Sequence, residues 1–264
     1  MSQQPQPIFS ELRERVIALL AHDNRSELDI LRIKIEIEKV ASTDRFESNC
    51  LLGMIFTLLN QPDEMRRHFN IALRLRPNSI EVLHDFAVAL NNLGFCSESE
   101  DYYQKTYEFN RGNLKILDDL ITVKLNLLKF HETQNLFMER AKLNPDAPYP
   151  LEKHVKLGFE YFRENEISDH LAIQGTEAAH EILRTYNKPF ITGSRQGFSL
   201  SEDEESQWMV VDFQVPVSVE MAVDMSVEFA EKIAANDEFM ALGPKIAFLF
   251  TPINNLGEDD SHAA

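Results

Sequence analysis

A spacing of 34 residues runs through the middle of the chain and constrains its fold more than any other feature. When the sequence is compared with itself at this offset, the aromatic residues Phe69, Tyr103 and Phe137 align. The other aligned positions are Leu52 with Phe86 and Leu120, Leu83 with Leu117, and Pro77 with Arg111 and Pro145. A fixed period of this length predicts a stack of similar supersecondary units, each contacting its neighbours.

The order of residues within one period carries a resemblance to a known family. The first period contains Leu52-Gly53-x2-Phe56, then Phe69, Ala72 and Pro77. Over residues 46–147 this pattern resembles the tetratricopeptide repeat (TPR) family. The resemblance implies helical hairpins in which Gly53 permits a close approach of two helices and a proline ends the second helix. Later periods depart from the family pattern at Ala87, Ser99, Arg111, Lys124 and Arg140.

Further helices are predicted on both sides of the repeats. Residues 1–45 are expected to form a capping helical hairpin, with Ser26 at the start of its second helix. The apolar faces predicted for the two helices are Leu12, Val16, Leu19 and Leu20, and Leu28, Leu31, Ile35 and Ile37. Residues 148–186 are expected to extend the helical stack, and Leu157-Gly158-x2-Tyr161 repeats the element seen at Leu52.

The pattern changes to β-forming residues near residue 187. Residues 187–254 predict a small acidic α+β module whose three-stranded sheet uses residues 189–192, 208–215 and 245–250. A helix over 218–235 is expected to pack on it through Met221, Met225, Phe229 and Ile233, and 255–264 is expected to be disordered. The predicted fold class is mostly α: a TPR-like α-solenoid of stacked helical hairpins followed by this α+β module.

The charge balance limits the kinds of partner. Lys and Arg number 26 against 43 Asp and Glu, which gives a net charge of −17. Residues 201–264 hold 14 of these acidic residues and 2 basic ones, a net of −12. A strongly acidic chain disfavours nucleic acid and anionic membranes as direct partners. The absence of a signal sequence, of a 20-residue apolar run and of a CxxC pair predicts a cytoplasmic protein with no membrane span.

The search for catalytic or metal-binding motifs gives no convergent set. The chain has no phosphate-binding glycine loop, no nucleophile elbow and no HExxH zinc motif. His180 is expected on the polar side of its helix, and His84-Asp85 is expected to be a solvated or groove-lining pair. A hairpin connection is expected at residues 193–197. A solvated loop is expected at the acidic residues 202–205. We therefore expect no enzymatic activity, no cofactor and no metal.

The TPR resemblance implies a concave binding surface made by the first helix of each hairpin. The residues expected to contact a partner are Glu47, Met54, Glu81, His84, Asp85, Val88, Asn91, Lys115, Asp118, Asp119 and Thr122, and Cys50, Thr57 and Leu125 are expected to face the same way. At the family's positions for gripping a C-terminal carboxylate, this chain has Cys50, Met54, Asp85 and Asp119, and only Lys115 keeps the expected residue type. The mixed polarity better suits a neutral-to-basic peptide, helix or domain.

Three functions are compatible with the sequence. The first is a non-catalytic adaptor that binds a protein partner through the concave surface, assisted by the acidic module. The second is an acidic inhibitor, antitoxin or immunity-type protein that neutralises a basic partner. The third is an enzyme whose active site lies in the C-terminal module, near Arg195, Asp212 and Glu220.

Overall fold

The architecture is described from a computed structural model, which covers residues 7–21, 25–147, 149–203, 206–240 and 245–253. The predicted tail at 255–264 and part of the acidic run at 202–205 lie outside these residues. In chain order the elements are α1 (Pro7–Ala21), α2 (Glu27–Val40), α3 (Arg45–Leu58), α4 (Pro62–Leu75), α5 (Ile80–Asn92), α6 (Cys96–Phe109), α7 (Leu114–Asn126), α8 (Phe130–Leu143), α9 (Glu152–Glu164), α10 (Asp169–Thr185), a 3-10 turn (Phe190–Thr192), β1 (Arg195–Glu202), β2 (Gln207–Val215), α11 (Val219–Ala234), α12 (Asp237–Met240) and β3 (Ile246–Pro252).

Helices α3 to α8 form three stacked hairpins whose turns repeat every 34 residues. Asn60, Gly94 and Leu128 stand at the same place in successive turns, and each has a positive φ, of 53°, 74° and 56°. In each turn the following amide donates to a carbonyl five residues earlier, as Gln61 N does to Phe56 O at 2.9 Å. This pattern closes the C-terminus of a helix and reverses the chain. The predicted TPR-like solenoid of helical hairpins is confirmed.

The close approach predicted at Gly53 is present inside the first hairpin. A Cβ added to Gly53 would lie 2.7 Å from the ring of Phe69, which is fully buried. Tyr103, one period later, is also buried. Phe137 is only partly buried, against Tyr149, so the prediction of three equivalent buried aromatics is wrong for the third. The helix that follows this hairpin, α9, begins at Glu152 and does not keep the 34-residue register.

The N-terminal hairpin packs α1 and α2 against α3, but with a different face of α2 from the one predicted. Ile30, Ile33 and Ile37 are buried, whereas Leu28, Leu31 and Ile35 are exposed. Helix α2 carries two apolar stripes at helical spacing, and the pattern cannot select between them. Leu12 and Val16 are buried in α1 as expected, together with Phe9, while Leu19 and Leu20 are only partly covered. Ser26 is the N-cap of α2, although its side chain makes no capping hydrogen bond.

The three-stranded sheet is confirmed, with a different first strand. Residues 190–192 form the 3-10 turn, and β1 instead covers Arg195–Glu202, which includes Gly197 and the start of the expected acidic loop. β1 pairs antiparallel with β2, from Arg195 opposite Gln214 to Glu202 opposite Gln207. β2 pairs parallel with β3, from Met209 opposite Ile246 to Val215 opposite Pro252, which gives the order β1-β2-β3.

Helix α11 covers the sheet through a face that differs in part from the predicted one. Ala222, Met225 and Phe229 are buried, and Phe229 contacts the rings of Phe248 and Phe250 in β3. Met221 is 38% exposed, so its predicted packing on the sheet is wrong, and Ile233 is half-buried. The chain between β2 and β3 is thus the helical crossover that a parallel strand pair needs.

The C-terminal part of the chain lies along the hairpin turns of the solenoid and contacts one turn after another. Ile191 is buried in the N-terminal core, and its carbonyl accepts from Arg25, before α2, at 2.8 Å. Asn187 bonds Asn60 at 2.5 Å, Arg184 donates to the carbonyl of Gly94, and Gln196 donates to Asn126 O at 2.8 Å. We call these four contacts the edge brace. Beside these contacts, the sheet shares a buried core with α5 to α10, and Ile191 lies in the separate N-terminal core.

Candidate partner-binding surface

The residues predicted to bind a partner lie on α3, α5 and α7, the first helices of the three hairpins. Their accessibility differs from one hairpin to the next. On α3, Glu47 is 5% exposed, and Cys50, Met54 and Thr57 are also buried. Helix α1 packs against α3 here, with Arg13 on Glu47 and Leu20 beside Met54 and Thr57. The expectation that this part of the groove is open is therefore wrong, since a helix of the same chain covers it.

The accessible residues lie on α5 and α7 and form what we call the α5–α7 surface. It consists of Glu81, His84, Asp85, Val88, Asn91, Lys115, Asp118, Asp119 and Thr122, each exposed or half-buried. Leu125, by contrast, is buried. Lys115 and Glu81 are the most exposed of the charged side chains, at 73% and 55%.

One arginine from α1 forms ion pairs with three carboxylates beside this surface. The Arg13 guanidinium lies 3.0 Å from Glu81, 2.9 Å from Asp85 and 3.4 Å from Glu47. Burial raises the pKa of Glu47 above its ordinary value, although Arg13 acts in the opposite direction. Arg13 stands 34 residues before Glu47 and 68 before Glu81. The 34-residue spacing therefore extends to Arg13 and is the signal for it in the sequence.

A second cluster joins α5 to α7 through His84. Its Nε2 lies 2.8 Å from Asp119 Oδ2, and Lys115 Nζ lies 3.1 Å from the same oxygen. Hydrogen bonds to Asp119 and Asp85 raise the pKa of His84 to about 9, so the imidazole is protonated at neutral pH. Burial acts to raise the pKa of Asp119, but the bonds from His84 and Lys115 outweigh it and hold this pKa below its ordinary value.

The far end of the surface is closed by residues that the sequence did not suggest. Arg140 of α8 donates from Nε to Asp118 at 2.6 Å and from NH1 to the carbonyl of Ala147 at 2.7 Å. The Tyr149 hydroxyl lies 2.8 Å from that of Thr122. Arg140 occupies a position at which the TPR pattern expects alanine, and this departure was the available signal.

The charges of the α5–α7 surface are nearly balanced. Its four carboxylates, Glu81, Asp85, Asp118 and Asp119, each lie within ion-pair distance of Arg13, His84, Lys115 or Arg140. Paired side chains lose less conformational entropy when a partner binds, because their rotamers are already restricted. The surface is thus a preorganised strip of alternating charge.

The residues considered for an enzymatic site make structural contacts. Asp212 accepts from Thr251 at 2.5 Å and from Gln214 at 3.3 Å, while Glu220 interacts with the N-cap Ser218 of α11. Arg195 begins β1. The Asp212–Thr251 bond joins β2 to β3, and the Ser218 contact lies at the start of α11.

His180 is buried, which contradicts its predicted place on the polar side of α10. Its Nε2 lies 2.9 Å from Gln196 Oε1 and 3.9 Å from Cys96 Sγ. Burial lowers the pKa of His180 to about 4 and raises the pKa of the Cys96 thiol. A thiol that keeps its proton beside an imidazole nitrogen already bonded to an amide is not an activated nucleophile. We interpret the pair as part of the interface between α10 and α6.

Two further properties concern binding chemistry. Among the residues that the structure describes, no group of three His, Cys, Asp or Glu side chains could hold a metal ion. Within the same residues, no helix is both long and apolar enough to cross a membrane.

The fold and this surface define the chain as a TPR-like helical-repeat protein with a small sheet module. No protein-family model matches the chain, and no curated protein sequence matches it. A solved structure described as "Functional Characterization of Pseudomonas Aeruginosa pilF" is similar over 89% of this chain and 97% of that one, with 12% identity and a TM-score of 0.41. A likeness at this level supports no inference about function.

Proposed function

We propose that the chain is a non-catalytic interaction protein that binds a protein partner through the α5–α7 surface. The observation that carries this proposal is the strip of exposed, mutually paired side chains on two consecutive first helices. A stack of helices presents such a strip at fixed spacing, which suits an extended peptide or a helix.

The charges of the surface favour a partner that is neutral to basic. Glu81 is the most exposed carboxylate of the surface, and Val88, one turn after His84 and Asp85 on α5, is a half-buried apolar residue. A basic side chain of the partner would bind Glu81, and Lys115 would repel a cation placed near Asp119. The buried free thiols of Cys50 and Cys96 fit a reducing compartment such as the cytoplasm.

The acidic C-terminal module would assist by attracting such a partner. Residues 201–264 carry a net charge of −12, against −5 for residues 1–200. Exposed charges act mainly on the rate of encounter, whereas short-range contacts act mainly on dissociation.

The test uses peptides selected from a displayed library against the full chain. His84→Ala with Asn91→Ala should speed dissociation of the selected peptides by about tenfold or more. The matched control is Lys105→Ala with Glu108→Ala on α6, which should leave binding unchanged because both residues are exposed away from the surface. Equal binding by both double variants would overturn the proposal.

The contribution of the module is measured separately. Glu202→Gln with Asp237→Asn should slow association and flatten its dependence on salt while dissociation stays constant. Binding that is weakened by loss of these carboxylates but unchanged by the His84 and Asn91 substitutions would instead support the acidic-inhibitor function.

A further inference from the structure

Two exposed apolar stripes lie on helices at opposite ends of the sequence. On α2, Leu28, Leu31 and Ile35 are between 37% and 65% exposed, and they point away from the buried face of that helix. On α11, Val219, Val223 and Val227 are between 53% and 59% exposed. Each set follows helical spacing. Among the residues that the structure describes, no side chain covers either stripe.

The stripes match in length and differ in the charges beside them. At 1.5 Å per residue, the α2 stripe is about 10 Å long and the α11 stripe about 12 Å long. Arg32 and Lys39 border one side of the α2 stripe and Glu27 and Glu38 border the other, and all four are exposed. Glu220, Asp224 and Glu231 border the α11 stripe and are exposed as well.

The side on which these charges lie determines how the helices can pair. Each helix is viewed from its N-terminus. On α2 the column of Arg32 and Lys39, and on α11 the column of acidic residues, then lie on the same side of the apolar stripe. When two helices pack antiparallel, columns on the same side face each other, and such flanking charges set orientation. The basic column of α2 would then face the acidic column of α11.

We propose that two copies of this chain associate by docking α2 of one copy antiparallel on α11 of the other. The apolar stripes form the centre of the contact, and Arg32 and Lys39 lie opposite Asp224 and its neighbours. Arg32 now pairs with Asp29 at 3.0 Å, but its side chain is 72% exposed and free to turn toward a second acceptor. The surface is distinct from the α5–α7 surface, so a bound partner and a second copy do not compete for the same residues.

The contact joins two different surfaces, so it is heterologous. Reciprocal docking of both pairs closes a dimer, while successive docking builds a ring or an open chain. Three aliphatic side chains on each side form a contact smaller than the standard interface of about 1,600 Å². We therefore expect a dissociation constant on the order of 100 μM.

The experiment is sedimentation of the full chain across about a hundredfold range of concentration around that value. Leu28→Glu and Val223→Lys should each abolish self-association, and an equimolar mixture of the two should form a one-to-one complex. This complex arises because one variant keeps an intact α11 and the other an intact α2. Self-association of Val223→Lys alone would show that α2 pairs with α2 and would overturn the proposal, as would a wild-type chain that stays monomeric.

Charge reversal provides an independent check with a matched control. Arg32→Glu and Asp224→Arg should each weaken self-association by about tenfold, and the double variant should recover most of it because the charges are exchanged. Arg74→Glu on α4 changes the net charge by the same amount as Arg32→Glu and should have little effect. Failure of the double variant to recover, with circular dichroism equal to wild type, would overturn the antiparallel arrangement.

Discussion

At the scale of single residues, Gly53 shows how one missing side chain sets the spacing of a hairpin. The ring of Phe69 occupies the space that a Cβ at Gly53 would need. Gly158 has the same relation to the ring of Phe130, although it lies outside the 34-residue period. In both places glycine is required by close packing and not by backbone conformation.

We predict that Gly53→Ala destabilises the chain by about 1–3 kcal/mol, because the buried Phe69 ring cannot move without strain. Alanine would otherwise favour the helix by about 1 kcal/mol. The control is Gly197→Ala in β1, where nothing lies within 4 Å of the added Cβ. Urea unfolding measures both, and equal stability of the two variants would contradict the packing explanation.

His84 gives a prediction about pH. Its pKa is raised to about 9 in the folded chain, whereas an unfolded histidine titrates near 6.5. The folded state therefore keeps a proton that the unfolded state loses, and this stabilisation, complete below about pH 6.5, is lost as the pH rises through about 9. His84→Gln should be less stable than wild type at about pH 6, with the difference shrinking by about pH 9.5. His154→Gln on α9, where the ring is exposed, is the control. A difference that does not change with pH would contradict the role of the Asp119 and Asp85 bonds.

At the scale of elements, the 3-10 turn before β1 is the part that connects the sheet module to the N-terminal hairpins. Ile191 inserts into the core formed by α1 to α5, although it lies 166 residues after Arg25, which bonds its carbonyl. We predict that Ile191→Ala lowers the free energy of unfolding by about 2–4 kcal/mol, as for other buried aliphatic residues. Leu157→Ala on α9, which is exposed, should cost far less. Denaturant titration of the two variants distinguishes an anchoring turn from a loose connection.

Some elements could be predicted from the sequence and others could not. The period located the helical hairpins because turn, glycine and aromatic positions recur together. The period does not show which apolar stripe of α2 is buried. The buried stripe (Ile30, Ile33 and Ile37) and the exposed stripe (Leu28, Leu31 and Ile35) both follow helical spacing. Residues 190–192 are rich in β-formers, yet they form a 3-10 turn because Ile191 finds its contacts in a distant core. Arg140 and Tyr149 close the α5–α7 surface from other elements, which a search confined to first helices does not examine.

At the scale of the whole molecule, the sheet shares a core with α5 to α10, and Ile191 links it to the separate core of the N-terminal hairpins. Met209, Val211, Phe213 and Val215 of β2 belong to the same buried cluster as Leu117 and Leu120 of α7. Two parts with a common core are expected to unfold together. The chain has one tryptophan, Trp208, and it lies on β2.

We predict that unfolding followed by Trp208 fluorescence and by far-ultraviolet circular dichroism gives coincident transitions in urea. Fluorescence reports on the sheet, and dichroism reports mainly on the helices. A fluorescence transition at lower urea would mean that the sheet unfolds alone. For the same reason, fragments that separate the repeats from the module are poor tools, and single substitutions in the full chain are preferable.

The edge brace has a consequence for how such a protein can change over time. Repeat proteins ordinarily diverge by gaining or losing whole hairpins, since each unit contacts only its neighbours. Here the turns at Asn60 and Gly94 are matched by Asn187 and Arg184, in the opposite direction along the chain, and the turn after Asn126 is matched by Gln196 of β1. Inserting or deleting one hairpin would shift every later turn past its counterpart. The contacts of the C-terminal segment therefore fit only the present number of hairpins, and the length of the array is fixed.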